Sequence, residues 1–287
     1  GSITPTFEMV EAFEYQDGSE GKIDIGQSFE TTYEMFQGKD PRFLASIYVP
    51  GSSLLGSTMQ FQRGLILKDG SKYYAQSAPG PSYLLETYID PETQRKDTIF
   101  GKDGGTYTGD ASKTGFNIRK FVNENLKTEA QWDFGKTETS FPIFRLAEVY
   151  LNLAEAAVEM GKYQTEAFEA IKKIRDRAGV VTPFAVVDVE KVRHERQVEL
   201  AFEGHRFWDM KRWRIAHLPV DQGGLNGFRG AGLHPFFDLR IRKYVFEVAN
   251  DLPKRQRVFT EKNYYTKFSG NDMNSNPSLI QNPEFLN

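Results

Sequence analysis

The run Phe144-Arg145-Leu146-Ala147-Glu148-Val149-Tyr150-Leu151-Asn152-Leu153-Ala154-Glu155-Ala156 decides how the rest of the chain is read. Ala147, Leu151, Ala154 and Val158 recur at i, i+4, i+7 and i+11, which is one face of an α-helix. Glu148, Asn152, Glu155 and Glu159 form the opposing polar stripe, and Gly161 supplies a left-handed stop. Thr165 is placed to cap a second helix whose apolar line is Ala167, Ile171, Ile174 and Ala178, closed by Gly179. Two short, alanine-faced helices joined by Gly161-Lys162-Tyr163 read as a tetratricopeptide-like hairpin. Asp188 caps a third helix expected to run to about Trp213, with Trp208 and Trp213 as packing residues. One such hairpin cannot bury its own apolar face, so its stacking partners lie in less regular parts of the chain or outside it.

Upstream, the periodicity changes. Phe43, Ala45, Ile47 and Val49 alternate over Arg42–Pro50, which predicts a strand. Met59, Phe61, Leu65 and Leu67 also alternate, Asp69-Gly70 turns the chain, and Lys72-Tyr73-Tyr74 returns as a hairpin. Asp103-Gly104-Gly105 predicts a second turn, between Asp97–Phe100 and Thr106–Thr108. Pro5, Phe7, Val10 and Phe13 mark one short helix near the start, ended by Asp17-Gly18-Ser19. Residues 1–140 therefore read as loop- and hairpin-rich and 141–218 as a helical frame. Residues 219–287 read as an irregular tail with one strand at Tyr244–Val248.

A chain of 287 residues buries roughly three-quarters of its unfolded surface, enough for an ordinary core. Its 36 Lys and Arg against 39 Asp and Glu leave a formal charge of −3, so nucleic acid is not an expected partner. With no cysteine, disulfide frameworks and thiol chemistry are excluded. No stretch approaches the roughly 18 apolar residues of a membrane span.

The motifs in order resemble the SusD/RagB family of Bacteroidetes nutrient-binding lipoproteins. The resemblance lies in Phe144–Ala156, in Ile174-Arg175-Asp176-Arg177-Ala178-Gly179, and in Glu195–Arg206 followed by Asp209, Arg212 and Trp213. Shorter matches at Pro5–Val10, Asp40-Pro41-Arg42-Phe43, Arg119-Lys120-Phe121 and Asn276–Pro283 extend it along the chain. It implies a mainly α fold: an α/α superhelix with a tetratricopeptide-like helix pair, short β-hairpins and long irregular loops. It further implies an exported protein, lipid-anchored at the outer-membrane surface, that captures oligosaccharide, or in some members peptide. The partner so implied is a SusC-like TonB-dependent transporter. In the family the anchoring cysteine and most helical repeats precede this region, so the chain is expected to be the C-terminal portion of such a protein.

Glu195, Glu199 and Glu203 recur every four residues, which brings carboxylates about 5–6 Å apart, close to a retaining glycosidase pair. The same spacing with Arg196, Arg206 and Arg212 nearby makes an internal charge network, and that is the expectation, with no catalytic residue. His194-Glu195 resembles the start of a zinc helix, but Val198 stands where the second histidine belongs. Asp272–Asn276 mimics half a calcium loop, yet Pro277 and Pro283 replace its turn glycine and acidic ligand, so Asx turns are expected. Gly101–Gly115 lacks the ending of a phosphate loop. No cofactor or metal is expected. Aromatic side chains on loops and hairpins remain: Tyr73, Tyr74, Tyr83, Tyr88 and Trp132 are the candidate ligand-binding residues, because flat faces with a polar tip suit sugar rings. Arg63 and Asn117 are their possible polar companions. A tetratricopeptide-like scaffold that contacts only protein is the competing class.

Overall fold

The computed structural model describes residues 3–74, 87–104, 112–125, 139–250 and 256–285. Helices account for 32% of it and strands for 16%, so the fold is helix-rich with short sheets. Two compact units are present: Gly1–Glu203 with Gly230–Pro253, and Gly204–Arg229 with Lys254–Asn287.

In the first unit, α1 (Phe7–Ala12) buries Phe7 and Val10, as their spacing requires. The next segment departs from expectation. Arg42–Pro50 is not a strand: residues Pro41–Ser46 form helix α2, followed by the two-residue strand β2 (Ile47–Tyr48) after β1 (Ser28–Phe29). Pro41 sets a helical φ at the first position, and the Asp40 carboxylate accepts the Arg42 amide at 2.8 Å, so the N-cap chemistry outweighs the alternation. Phe43 and Ile47, four apart, are fully buried, while Ala45 faces solvent.

Short strands follow: β3 (Ser53–Leu54), β4 (Ser57–Thr58), β5 (Gly64–Ile66), β6 (Lys72–Tyr74), β7 (Thr87–Ile89), β8 (Lys96–Thr98) and β9 (Asn117–Ile118). The Asp69-Gly70 turn forms as expected, with Gly70 at φ +85°, pairing β5 with β6; Met59 and Phe61 lie outside any strand. Asp97 lies in a hairpin, but β8 pairs with β7 across Asp90-Pro91, not across Asp103-Gly104, and Thr106–Thr108 fall outside the described residues. The expected tail instead supplies the two longest strands, β10 (Gly232–Asp238) and β11 (Lys243–Ala249), centred in a five-stranded sheet of order β1-β11-β10-β5-β6. Pro235 hid β10 from the sequence reading. It sits one residue ahead of the pairing with β5, where its carbonyl accepts the Arg63 amide and its missing N–H costs nothing on that edge. One core joins α1, α2 and the sheet through Phe13, Phe36, Phe43, Phe116, Leu233 and Phe246, with Phe36 edge-on to Phe116 and Phe246.

The helical frame comprises α3 (Leu146–Glu159), α4 (Gln164–Ala178) and α5 (Val189–Glu199). Leu151, Ala154, Ala157, Ala167, Ala170, Ile171 and Ile174 form their shared core. Gly161 and Gly179 take the left-handed conformation expected of them. Thr165 does not cap α4; the helix starts one residue earlier, after a left-handed Tyr163, and the Gln164 side chain bonds the Val187 backbone instead. Asp188 does cap α5, but the helix stops at Glu199. Arg145 captures the Glu199 carbonyl at 2.7 Å and Lys120 the Ala201 carbonyl at 3.1 Å, removing the acceptors that a continuing helix would use. Phe202 and Gly204 then take positive φ.

The second unit holds α6 (His205–Arg212) and α7 (Gly270–Ser275); Met210 of α6 packs with Ala216 and Phe259 in its small core. Trp208 is not a packing residue: it is 65% exposed. Asp272 is the third helical residue of a capping box whose N-cap is Ser269, where an Asx turn was expected; Asn276 does make such a turn with the Ser278 amide.

Lys39 shows how tightly the first unit is pinned. Its buried ammonium donates to the carbonyls of Phe13 (2.8 Å) and Gly21, and burial draws its pKa down to about 8. Lys39→Met keeps the stem and strands those carbonyls, so urea unfolding at neutral pH should show a loss of about 1–3 kcal/mol for each one left unpaired.

Candidate ligand-binding surface

The candidate aromatic residues divide by sheet register. On β6, Tyr73 opposes Leu65 and turns its ring towards Tyr88 of β7, with centroids 5.9 Å apart. Tyr74 points the other way and meets Phe236 of β10 edge-on at 5.5 Å. Tyr73 and Tyr74 stay 43% and 45% exposed, so each keeps part of its ring for another partner. Tyr88 is half-buried against Leu65, Ile99, Phe100 and Leu239. The structure thus brings Tyr73 and Tyr88 together and separates Tyr74 onto the opposite face. Tyr83 and Trp132 lie outside the described residues. Arg63 directly precedes β5, whereas Asn117 belongs to a different sheet, opposite Tyr48.

Ionic groups that the sequence reading missed hold these hairpins. Arg242, after β10, forms a two-pronged bond to Asp97 of β8 at 2.8 and 2.9 Å. Lys68, at the end of the β5 hairpin, reaches Asp90 at the β7–β8 turn. Asp90 also accepts the amides of Glu92 and Thr93; the Thr93 bond, opposed by slight desolvation and aided by Lys68, holds its pKa at about 2. Asp90-Pro91 was the available signal for this turn. Lys72, beside Tyr73, pairs with Glu247 of β11 at 2.6 Å. Side chains carried on hairpins braced in this way are held ready for a ligand, with little ordering cost on binding.

The three glutamates at four-residue spacing lie elsewhere and are not open. Glu195, Glu199 and Glu203 are 1%, 3% and 5% exposed. Their partners are not the neighbouring Arg196, Arg206 and Arg212 of the sequence reading. Arg42 bonds Glu195 at 2.6 Å and Glu199 at 2.9 Å, and Arg175 bonds Glu195 at 2.9 Å. Arg145 bonds Glu199 at 2.6 Å and Glu203 at 2.7 Å, Arg177 bonds both Glu199 oxygens at 2.7 Å, and Lys120 closes on Glu203. Arg196, itself buried, instead takes Asn152 at 2.8 Å and approaches Glu148 at 3.5 Å, both on the α3 polar stripe. Burial alone would raise the pKa of Glu199 and Glu203, but hydrogen bonds from Arg145, with Arg42 for the first and Lys120 for the second, bring both below the ordinary range. Carboxylates held this firmly ionised have no proton to give a leaving group.

A cavity of about 500 Å³ opens beside α1 and α5, lined by Glu14, Arg175, Phe184, Lys191 and His194 among others. Much of its charge is internally paired, with Glu11 on Lys22, Asp188 on Lys191 and Glu14 on Arg175. Among the described residues no cluster of three or more His, Cys, Asp or Glu is arranged to hold a metal, and no helix is long and apolar enough to cross a membrane.

The cluster sets the acid stability. Depressed carboxyl pKa values contribute stability above the unfolded value of about 4.3, and that contribution is lost as pH falls through the lower folded values. Urea midpoints should stay level from about pH 7 to 5 and fall steeply below about pH 4. Arg42→Met, which leaves Glu195 and Glu199 short of a buried partner, should cost about 3–5 kcal/mol at pH 7 by the same assay.

Comparison with known proteins agrees with this architecture. The sequence pattern of the SusD family matches residues 1–285. SusD-like protein P2 of Formosa agariphila is 31% identical over 101 residues, covering 31% of this chain and 20% of that protein. SusD-like protein P25 of the same organism is 39% identical over 80 residues, covering 25% and 15%. Among solved structures, a SusD-like protein from Bacteroides fragilis superposes with a TM-score of 0.61 at 26% identity, over 97% of this chain and 46% of its own. A SusD-like carbohydrate binding protein from the same species gives 0.60 at 24%, over 96% and 48%, a likeness of fold. The chain spans about half the length of these solved relatives. With the family pattern running almost end to end and the fold in agreement, the chain belongs to the SusD family.

Proposed function

We propose that this chain is a non-catalytic binder of oligosaccharide. It acts at the bacterial cell surface, on the outer membrane, within a protein held there by a lipid anchor, and passes glycan to a SusC-like TonB-dependent transporter. One observation carries the reading. Two part-exposed tyrosine rings sit on the β5–β6 hairpin, with the half-buried Tyr88 of the braced β7–β8 hairpin beside Tyr73, while the closely spaced glutamates of the α5 region are locked into ion pairs. Such an arrangement offers rings for stacking, and these glutamates are not poised as acids for bond cleavage. Tyr73, Tyr74 and Tyr88 are the proposed contacts, joined by Tyr83 and Trp132. Family membership supports binding over catalysis, and one solved relative is described as carbohydrate binding.

A protein-contacting role has its own support. Leu146, Val149 and Leu153 of α3, with Met160 at its C-cap, leave an apolar strip in solvent beside the face the helix buries. A helix apolar on two sides is suited to lie between neighbours. The α3–α4 pair would then be one repeat of a tetratricopeptide-like superhelix in a longer protein whose C-terminal portion this chain forms. Peptide capture by the same tyrosines is the corresponding alternative for the ligand.

Affinity electrophoresis and calorimetry against a panel of neutral and acidic glycans and peptides test the reading. The double variant Tyr73→Ala/Tyr74→Ala should weaken the best glycan about tenfold, since each aromatic contact is worth about 0.5–1.5 kcal/mol, and should leave the unfolding midpoint nearly unchanged. Trp132→Ala should act in the same direction. Release of reducing sugar that disappears with Glu199→Gln would refute the non-catalytic reading.

A further inference from the structure

Charge is divided unevenly between the two units. The one formed by Gly204–Arg229 and Lys254–Asn287 holds ten Lys and Arg against five Asp and Glu, a formal +5; the whole chain is −3, so the other unit carries −8. Such asymmetry is a property of surfaces that meet polyanions.

The basic unit also carries an aromatic ridge, with Trp208 and Phe207 at its exposed end and the buried Phe259 as its anchor. Trp208 is 65% and Phe207 46% exposed, on adjacent positions of α6. Their centroids are 5.4 Å apart, Phe207 lies 6.2 Å from Phe259, and Phe259 lies 5.1 Å from Tyr264 in the 3-10 turn Glu261–Tyr264. Cations line the ridge: Lys211 Nζ stands 5.5 Å from the centroids of both Phe207 and Trp208, and the Arg214 guanidinium stands 4.1 Å over Tyr264 and 5.5 Å over Tyr265. Arg257, Lys262 and Lys267 are further exposed basic residues of the unit, and Val258, beside Phe259 in sequence, is exposed too.

We propose that this ridge is a docking surface for an anionic membrane, binding lipid phosphates through Lys211, Arg214 and their basic neighbours while Trp208 and Phe207 enter the headgroup layer. Two features favour lipid over an acidic polysaccharide. Cations already occupy ring faces on which sugars would stack, and the exposed residues include an aliphatic, Val258, that hydrocarbon rewards and sugar does not. Trp and Phe flanked by Lys and Arg is the composition that partitions to a membrane interface. Each basic side chain near an anionic surface contributes about fivefold in partitioning, and the attraction is screened by salt. This inference does not depend on the tyrosine hairpins.

The test uses the 287-residue chain with sedimented vesicles of phosphatidylcholine alone or with about one-third phosphatidylglycerol. Expected are binding at least tenfold stronger to the anionic vesicles, its loss in half-molar salt, and a blue shift of tryptophan emission. Lys211→Glu and, separately, Trp208→Ala should each weaken vesicle binding about fivefold or more while glycan affinity and melting temperature stay unchanged; the second should also remove the blue shift. Equal partitioning to neutral vesicles would overturn the proposal. So would preferential binding of dextran sulfate over anionic vesicles, or variants that bind as well as the parent chain.

Discussion

Five cations closed around three buried glutamates set the position of much of the first unit. Arg42 comes from α2, Lys120 from the segment after β9, Arg145 from the residue before α3, and Arg175 and Arg177 from α4. A buried carboxylate without a partner costs several kcal/mol, so none of these elements can shift without exposing that cost. The cluster also takes the last carbonyl of α5, that of Glu199, and the Ala201 carbonyl just beyond it, where the helical frame stops.

That arrangement accounts for a motif that resembles catalytic machinery in spacing but differs from it in environment. Catalytic carboxyl pairs depend on environments that push their pKa values apart, so that one keeps its proton. Here both Glu199 and Glu203 are pushed the same way, downwards, by arginine and lysine hydrogen bonds. The charges bind the protein to itself. On the hairpins, Arg242–Asp97 and Lys68–Asp90 give rigidity without burying Tyr73 or Tyr74.

Local chemistry explains which parts of the fold were legible. The alanine and leucine spacing of α3 and α4, their terminal glycines, the Asp188 cap and the Asp69-Gly70 turn all act within a few residues, and all appear in the structure. The strand expected at Arg42–Pro50 failed because alternation and the i, i+4 spacing of Phe43 and Ile47 coincide over so short a run, and the Asp40-Pro41 start decided for helix. The central strand β10 was missed because Pro235 argues against a strand unless the partner's register is known. Packing of Trp208 requires one helix through Glu203 and Gly204; the chain breaks at those residues, and Trp208 is exposed. Of the candidate ligand residues, the sequence could nominate Tyr73, Tyr74 and Tyr88, but not say that two meet and one faces away.

By itself the sequence determined the family, the α3–α4 pair and its stop signals, because those are written in neighbouring residues. Only tertiary structure decided which cation meets which glutamate. Arg42 lies 153 residues from Glu195 and 157 from Glu199, and Arg145 lies 54 from Glu199. At such distances spacing carries no information about pairing; desolvation does, because a charge leaving water takes whichever opposite charge the fold brings to it.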